Sequence, residues 1–468
     1  ARTLVDKTKD LKEVKLEQVY NQLTQWRSGA VVLVESEREA KIVPSYDLWV
    51  RPVEDNSFDM SEDRMMFNGE AAISSAILQL TKPDKTAVIF VRYGGEPLLR
   101  PDMEAWQQRM DMRNLPRAPF GQLNNQLEKA NFVTADWNVQ AEKTPPVVEN
   151  ASRRIYVVMP PTPPERNPAQ PMMPPQGMSA ADRQVVLDAV KASGTAMFLA
   201  GWQQPQGPMG GGAYDYGEFL KTEWGIDVRA SDLVLQFTPF PDRKGEWAVT
   251  RQSQFLTTDE KSLRFTEHDI SRPSRTDRGA FVMAAPLEVA KPESRPAGVR
   301  IDPLVEVNET PDVWAVADVF ALQQKLRSTK GVTPTEQDIR APFPIAVAAE
   351  RTAGGAASAP ADGKVRVVVV GSDAFIRDEV AQASMPMVVG NNFVFGQLYP
   401  ANSDFFMNSL HWLAGDAERI AAGPRRGELP RLKDLTEEKA AVLPYLLVGV
   451  WPALALVLGA GVWLVRRK

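Results

Sequence analysis

The side chains able to do chemistry are few and scattered. The chain of 468 residues has no cysteine and only two histidines, His268 and His411. Without cysteine there is no thiol nucleophile, no disulfide and no thiolate ligand for zinc. Any imidazole base must therefore be one of those two residues. The best-placed polar group is the turn Gly371-Ser372-Asp373, which leaves the apolar run KVRVVVV from Lys364 to Val370. Such a turn puts its residues at the carboxyl end of a sheet, where α/β proteins keep their sites. The plainer reading is that Gly371 makes the tight turn and Ser372 or Asp373 caps the next helix, and the sequence favours it. His411 stands beside Trp412 and has no acidic or imidazole partner one helical turn away, so it is expected to pack on the sheet. His268, followed by Asp269 in a charged stretch, is expected to be a solvated surface residue. The run Gly210-Gly211-Gly212 lacks the Gly-Lys-Ser/Thr that completes a phosphate loop, and reads as a flexible loop. No Gly-x-Ser-x-Gly elbow occurs, and the carboxylates are abundant but scattered, so spacing alone picks out no glycosidase pair. No catalytic, cofactor-binding or metal-ligating residue is expected, and no cofactor.

The elements that would carry these residues follow from periodicity. Leu16, Val19, Tyr20, Leu23 and Trp26 fall at helical spacing, and Ala30 to Glu35 is a short apolar strand. Asn68 to Leu80 reads as a helix capped by Asn68. Thr86 to Tyr93 is a strand, followed by a polar helical stretch from about Met103 to Arg113 and another from Phe120 to Ala130. Asn131 to Val139 and Arg154 to Met159 are strands. A helix capped by Ser179 runs to about Ala192, and Thr195 to Ala200 is the next strand. Tyr216 to Trp224 is helical, Gly225 to Val228 turns into an extended segment, and residues 230–310 mix short strands and turns whose order the sequence does not give. Lys364 to Val370 is a buried strand and Asn402 to Leu413 a helix with a wide apolar face. This alternation predicts an α/β fold with a mostly parallel sheet flanked by helices. Eight prolines between Pro160 and Pro175 define an exposed loop over 160–178, because proline fits neither helix interior nor central strand. The low-complexity stretch 353–363 is a second loop.

Composition sets the class. At 44% hydrophobic and 24% charged residues the chain is in the globular range. A net charge of −5 without a long basic stretch argues against nucleic acid as a partner. The chain opens on Ala1, so the absence of a leader carries no information.

Ala440 to Val465 reads AAVLPYLLVGVWPALALVLGAGVWLV without a charge. As a helix it would span roughly 38 Å, enough for a hydrocarbon core of about 30 Å. Tyr445 and Trp463 stand near its ends, Pro452 predicts a kink, and Arg466, Arg467 and Lys468 stop it. A C-terminal transmembrane helix is therefore expected. Its flanks are basic on both sides, with Arg425, Arg426, Arg431, Lys433 and Lys439 before it, so charge alone does not orient it. The expected organisation is an N-terminal α/β segment (1–84), a main ectodomain (85–422), a connector (423–439), the membrane helix (440–465) and a basic tail (466–468).

A series of segments resembles the GldG family, auxiliary components of ABC-type transport systems named for a gliding-motility protein. The matching pieces are Gly69 to Glu96, Ser179 to Ala200, Tyr216 to Val228, Ala341 to Glu350 (APFPIAVAAE), Val365 to Ile376 (VRVVVVGSDAFI) and Asn402 to Asp416 (NSDFFMNSLHWLAGD), ending in the apolar stretch with its Arg-Arg-Lys stop. The resemblance implies a fold like class I glutamine amidotransferases without their nucleophilic cysteine. It implies an ectodomain outside the cytoplasm of a bacterial inner membrane, a cytoplasmic tail, and assembly with an ABC permease and an ATPase. It carries over no ligand-binding residues. The expected role is a non-catalytic accessory subunit, held to the lipid bilayer by the C-terminal helix, with room for a homo-oligomer. Gly449, Gly459, Ala460 and Gly461 would offer small faces to neighbouring helices. The alternatives are a glycan- or peptide-binding ectodomain using exposed Trp and Tyr of the loop Gly201 to Tyr216, and a hydrolase using Asp373 or His411.

Overall fold

A computed structural model describes residues 85–416, apart from 104–116, 150, 162–176, 205–212, 241–244, 251, 259–261, 329–330, 353–362 and 390–391. It also describes residue 420 and short pieces upstream at 32–35, 40–43, 48–50, 66–67, 73 and 77. The chain divides into two units, Ala1–Ala422 and Gly423–Lys468, and every described residue belongs to the first.

The first unit is built on one eight-stranded sheet. In chain order its strands are β1 (Lys85–Arg92), β2 (Phe132–Asn138), β3 (Ala151–Val158), β4 (Thr195–Leu199), β5 (Leu263–Phe265), β6 (Arg300–Val307), β7 (Phe343–Thr352) and β8 (Lys364–Val370). Their spatial order is β5-β6-β7-β8-β4-β3-β1-β2. The four pairings from β8 through β2 are parallel, and the three from β5 to β8 are antiparallel. The mostly parallel, helix-flanked sheet read from the sequence is thus present, with an antiparallel wing on one side. Within the parallel half the second strand in the chain lies outside the first and the third lies inside it. The order reverses between β1 and β3, which makes their carboxyl ends the topological switch point.

Strands covered on both faces read as continuous apolar runs, and KTAVIFVR and KVRVVVV do so. Alternate residues enter two separate cores. Val88, Phe90, Ile155, Val157, Met197, Leu199, Val368 and Val370 face one layer. It is covered by α1 (Gly121–Lys129) through Leu123 and Leu127, and by the long C-terminal helix Pro400–Leu413 through Phe405, Phe406 and Leu410. Ala87, Ile89, Val91, Tyr156, Val158, Ala196, Phe198, Val367 and Val369 face the other layer. That layer is covered by α2 (Ala180–Ser193) through Val186, Leu187 and Val190, and by α3 (Gly217–Trp224) through Phe219, Leu220 and Trp224. Ser179 caps α2 as expected, accepting from the Asp182 N–H at 3.1 Å, and Gly194 closes it in the left-handed conformation. A smaller cluster of Phe237, Trp314, Leu322 and Val332 packs beside the main cores under α4 (Val319–Ser328).

Several sequence expectations fall outside the described residues: the helices over 11–26 and 103–113, the body of the helix over 68–80, most of the loops 160–178 and 353–363, the run Gly210-Gly211-Gly212, the connector 423–439, and the span 440–465. Among the described residues no helix is long and apolar enough to cross a membrane.

Candidate functional site

The carboxyl ends of β1, β3, β4 and β8 meet where an α/β site is expected. At the end of β8, Gly371 donates to the Ile345 carbonyl and accepts from the Ala285 N–H, both at 2.7 Å. A Cβ here would stand 2.1 Å from the Ala285 oxygen, so only glycine lets the two backbones approach. Ser372 is fully buried, and its hydroxyl donates to the Val282 carbonyl at 2.7 Å. Asp373 pairs with Arg377 at 2.8 Å. The expectation that Ser372 or Asp373 caps the following helix is corrected: the next helix, α5 (Asp378–Ala381), has Arg377 at its N-cap position. Ser372 is instead spent on a tertiary tie to Val282 and Asp373 on a local pair with Arg377, because the chain runs four residues past the turn before helix resumes.

Two residues past the end of β4 stands Gly201, whose φ is +69°. A side chain on it would press within 2.5 Å of Asp373 Oδ1. Trp202 follows and is tied twice, by its N–H to the Met283 carbonyl at 2.8 Å and by Nε1 to the Ser231 carbonyl at 3.1 Å. The segment Val282 to Ala285 therefore bridges both strand ends, with Met283 held at φ 52°.

Beside them lies the stretch leading into α3. Tyr214 and Tyr216 are 5% and 1% exposed. This corrects the reading of the Gly201–Tyr216 loop as a source of exposed tyrosines: the rings turn inward, onto each other at 5.6 Å and onto Phe198. The Tyr216 hydroxyl contacts Met178 Sδ at 3.5 Å. The Tyr214 hydroxyl is buried with no hydrogen-bond partner. Burial, with Asp215, Asp373 and Tyr216 nearby, pushes its ionisation well above the ordinary phenol value. Burial also raises Asp215, against the pull of Arg183 at 3.4 Å.

At the switch point itself, Lys143 Nζ meets Asp182 Oδ1 at 2.6 Å. That hydrogen bond is the main reason the Asp182 carboxyl is held below its usual range. Burial, then Asp182, raises the neighbouring Tyr93. Arg92 pairs with Asp136 at 2.6 Å and donates to the carbonyls of Gly94 and Gly95. Asp136, Asp182, Asp215 and Asp373 thus each have a cation at this pole of the sheet.

Both imidazoles lie at the opposite pole. His411 packs on Phe132, the first residue of β2, at 5.2 Å between ring centroids. His268 sits edge-on to Trp412 at 5.6 Å, near Asp302 and Arg300 at the start of β6. Arg366, near the start of β8, stacks on the same indole at 5.1 Å. His411 packs on the sheet, as read from the sequence. His268 does not stand free in solvent; it is half-buried, because Ile270 and Trp412 draw its loop onto the C-terminal helix. The fold therefore separates Ser372 and Asp373 from both histidines by the length of the strands. Among the described residues no group of three or more His, Asp or Glu is arranged to hold a metal ion.

The chemistry open to this pole is polar contact through charge pairs. The Tyr214 hydroxyl, a buried group here without a hydrogen-bond partner, could not be found from sequence. It is revealed only by the burial that the packing of α3 imposes.

No protein-family model and no curated protein matches the sequence. Among solved structures, the mmIFT52 N-terminal domain is similar at 14% sequence identity, covering 70% of this chain and 97% of that one, with a TM-score of 0.35. A likeness at that level carries no argument here.

Proposed function

We propose that this chain is a non-catalytic accessory subunit of an ABC-type transport system, resembling the GldG family, with its sheet domain outside the cytoplasm and the stretch 440–465 anchoring it in the bilayer. The observation that carries the reading is the fate of the turn after β8. Where an α/β enzyme would place a reactive group, Ser372 is buried and bonded to Val282, and Asp373 is closed against Arg377. Both imidazoles stand at the far end of the strands. The parallel half-sheet with its order reversal is compatible with the amidotransferase-like fold that the resemblance implies, and the chain has no cysteine to serve as that fold's nucleophile.

The test is purification of the tagged full chain from native membranes in mild detergent. A multi-span permease and an ATPase should co-elute in fixed ratio. Recovery of the chain alone, from cells in which both candidates are expressed, would end the reading. A parallel experiment replaces Asp373 and His411 together by Ala. The transport phenotype should persist at the level set by the amount of folded protein, and its abolition at normal protein levels would restore the hydrolase alternative.

A further inference from the structure

His268 has no part in the proposed function, yet its surroundings are built in detail. It lies in the loop after β5, against the last turns of the C-terminal helix. Its Nδ1 accepts the Ile270 N–H at 3.2 Å, which requires that nitrogen to be unprotonated. Its own carbonyl accepts the N–H groups of Ser271 and Arg272 at 2.9 and 2.8 Å, starting the short 3₁₀ turn Arg272–Ser274. Ile270 is fully buried, and its carbonyl accepts from Asn408 Nδ2 of the C-terminal helix at 3.2 Å. One imidazole thus organises the loop 268–274 and holds it to that helix.

The charges around the ring are already matched. On its own segment Glu267 pairs with Arg275, and Asp269 with Arg272. From β6, Asp302 pairs with Arg300 at 2.8 Å. From β7, Glu350 takes Lys364 at 3.0 Å and Arg366 at 3.6 Å, both from β8. The C-terminal helix presents the indole of Trp412, which already carries the Arg366 guanidinium. Among the described carboxylates around the ring, a new cation on His268 finds none without a partner.

From this geometry we infer that His268 is a pH-operated latch: protonating its Nδ1 breaks the bond to Ile270 and releases the turn 268–274 from the C-terminal helix. A protonated Nδ1 turns from acceptor to donor, so the Ile270 N–H loses its acceptor in a buried place. The sign follows from burial, which holds the ring neutral and lowers its pKa from the ordinary 6.5. Acidic groups at Asp302, Asp269 and Glu350 only partly oppose this. A depressed folded-state value means that the latch is fully closed above pH 6.5 and opens as pH falls through the folded value.

Having only two histidines makes the test direct. The full chain in detergent micelles is labelled at the histidine Cε1 positions, and His411→Gln assigns the two signals. The His268 signal should titrate below 6.5. Amide protection over Ile270–Ser274, corrected for intrinsic exchange, should fall by up to about tenfold per pH unit from 6.5 down to the same midpoint and level off below it. His268→Asn keeps a hydrogen-bond acceptor without titrating, and His268→Phe keeps a ring; in each, protection of this segment should stop depending on pH. The inference is overturned by a midpoint at or above 6.5, by protection that stays flat through the titration, or by an unchanged pH dependence in both variants.

Discussion

Gly371 gives the sharpest quantitative prediction. Replacing it by Ala adds one methyl group at the end of β8, 2.1 Å from the Ala285 carbonyl oxygen and 3.2 Å from that of Ile345. Both obstacles are backbone atoms, so no side-chain rotation relieves them. One strand end must shift by about 1 Å to restore ordinary contact, in an interior packed at crystalline density. Overpacking of this kind costs about 1–3 kcal/mol. The shift also strains two buried hydrogen bonds, Gly371 N–H to Ile345 and Ala285 N–H to Gly371. Each is worth about 0.5–1.5 kcal/mol, so the total loss is about 2–6 kcal/mol. Gly298→Ala is the control: its φ is +74° but nothing lies within 4 Å of the added carbon. It should cost only the left-handed backbone penalty of about 1 kcal/mol. Urea denaturation of the full-length variants in detergent, followed by tryptophan fluorescence, measures both. If Gly371→Ala proves no less stable than Gly298→Ala, the close approach described at the end of β8 does not exist.

Three further outcomes are expected from the same assay. Asn402→Ala removes a fully buried amide that joins Ala280 through both its oxygen and nitrogen and also donates to the Phe375 carbonyl; it should cost about 3 kcal/mol, and a loss below about 1 kcal/mol would contradict the network. Asp378→Ala strips the N-terminus of α1 of the carboxylate that accepts from Gln122 and Leu123 at 2.7 and 3.2 Å. The cost should be about 1 kcal/mol, with increased amide exchange confined at first to α1; unchanged exchange there would refute the capping role. Tyr214→Phe deletes a buried hydroxyl without a partner, so stability should hold or rise by about 1 kcal/mol, whereas a marked loss would reveal a bond that this geometry lacks.

The parallel half of the sheet was legible because its strands are apolar on both faces. Runs such as TAVIFV and VVVV have few alternative homes, and Ser179 and Gly194 mark the ends of α2 by local chemistry alone. The antiparallel wing was not legible. β6 contains a proline and a register shift between Pro303 and Val305, which break its alternation. β7 opens with Phe343-Pro344 and carries small alanines, a weak strand signature. α4 was missed because it covers only a small satellite core. The candidate site was half legible. The turn after β8 could be placed at the carboxyl end of the sheet, but the partners of Ser372 and Asp373 could not. Val282 is distant in sequence, and the Asp373–Arg377 pair, though only four residues apart, forms across a turn where a helix cap was expected. The cap that Asp378 supplies to α1 comes from 256 residues away, beyond any local rule. His268 looked solvated for a similar reason: its neighbours in sequence are charged, while its neighbours in space are Ile270 and Trp412.

Two arginines from the amino ends of strands reach the last turn of the C-terminal helix. Arg366 of β8 donates to the Trp412 carbonyl at 3.3 Å, and Arg153 of β3 donates to the Ala414 carbonyl. They give this helix end a mechanical property. Tension entering the polypeptide just beyond residue 416 is passed by these guanidinium clamps into two strands of the central sheet, one on each side of β4. The load is then shared as shear along many ladder bonds at once, and the helix is not peeled off turn by turn. If the proposed anchor holds the chain from this point, the sheet domain is expected to resist being drawn apart by it.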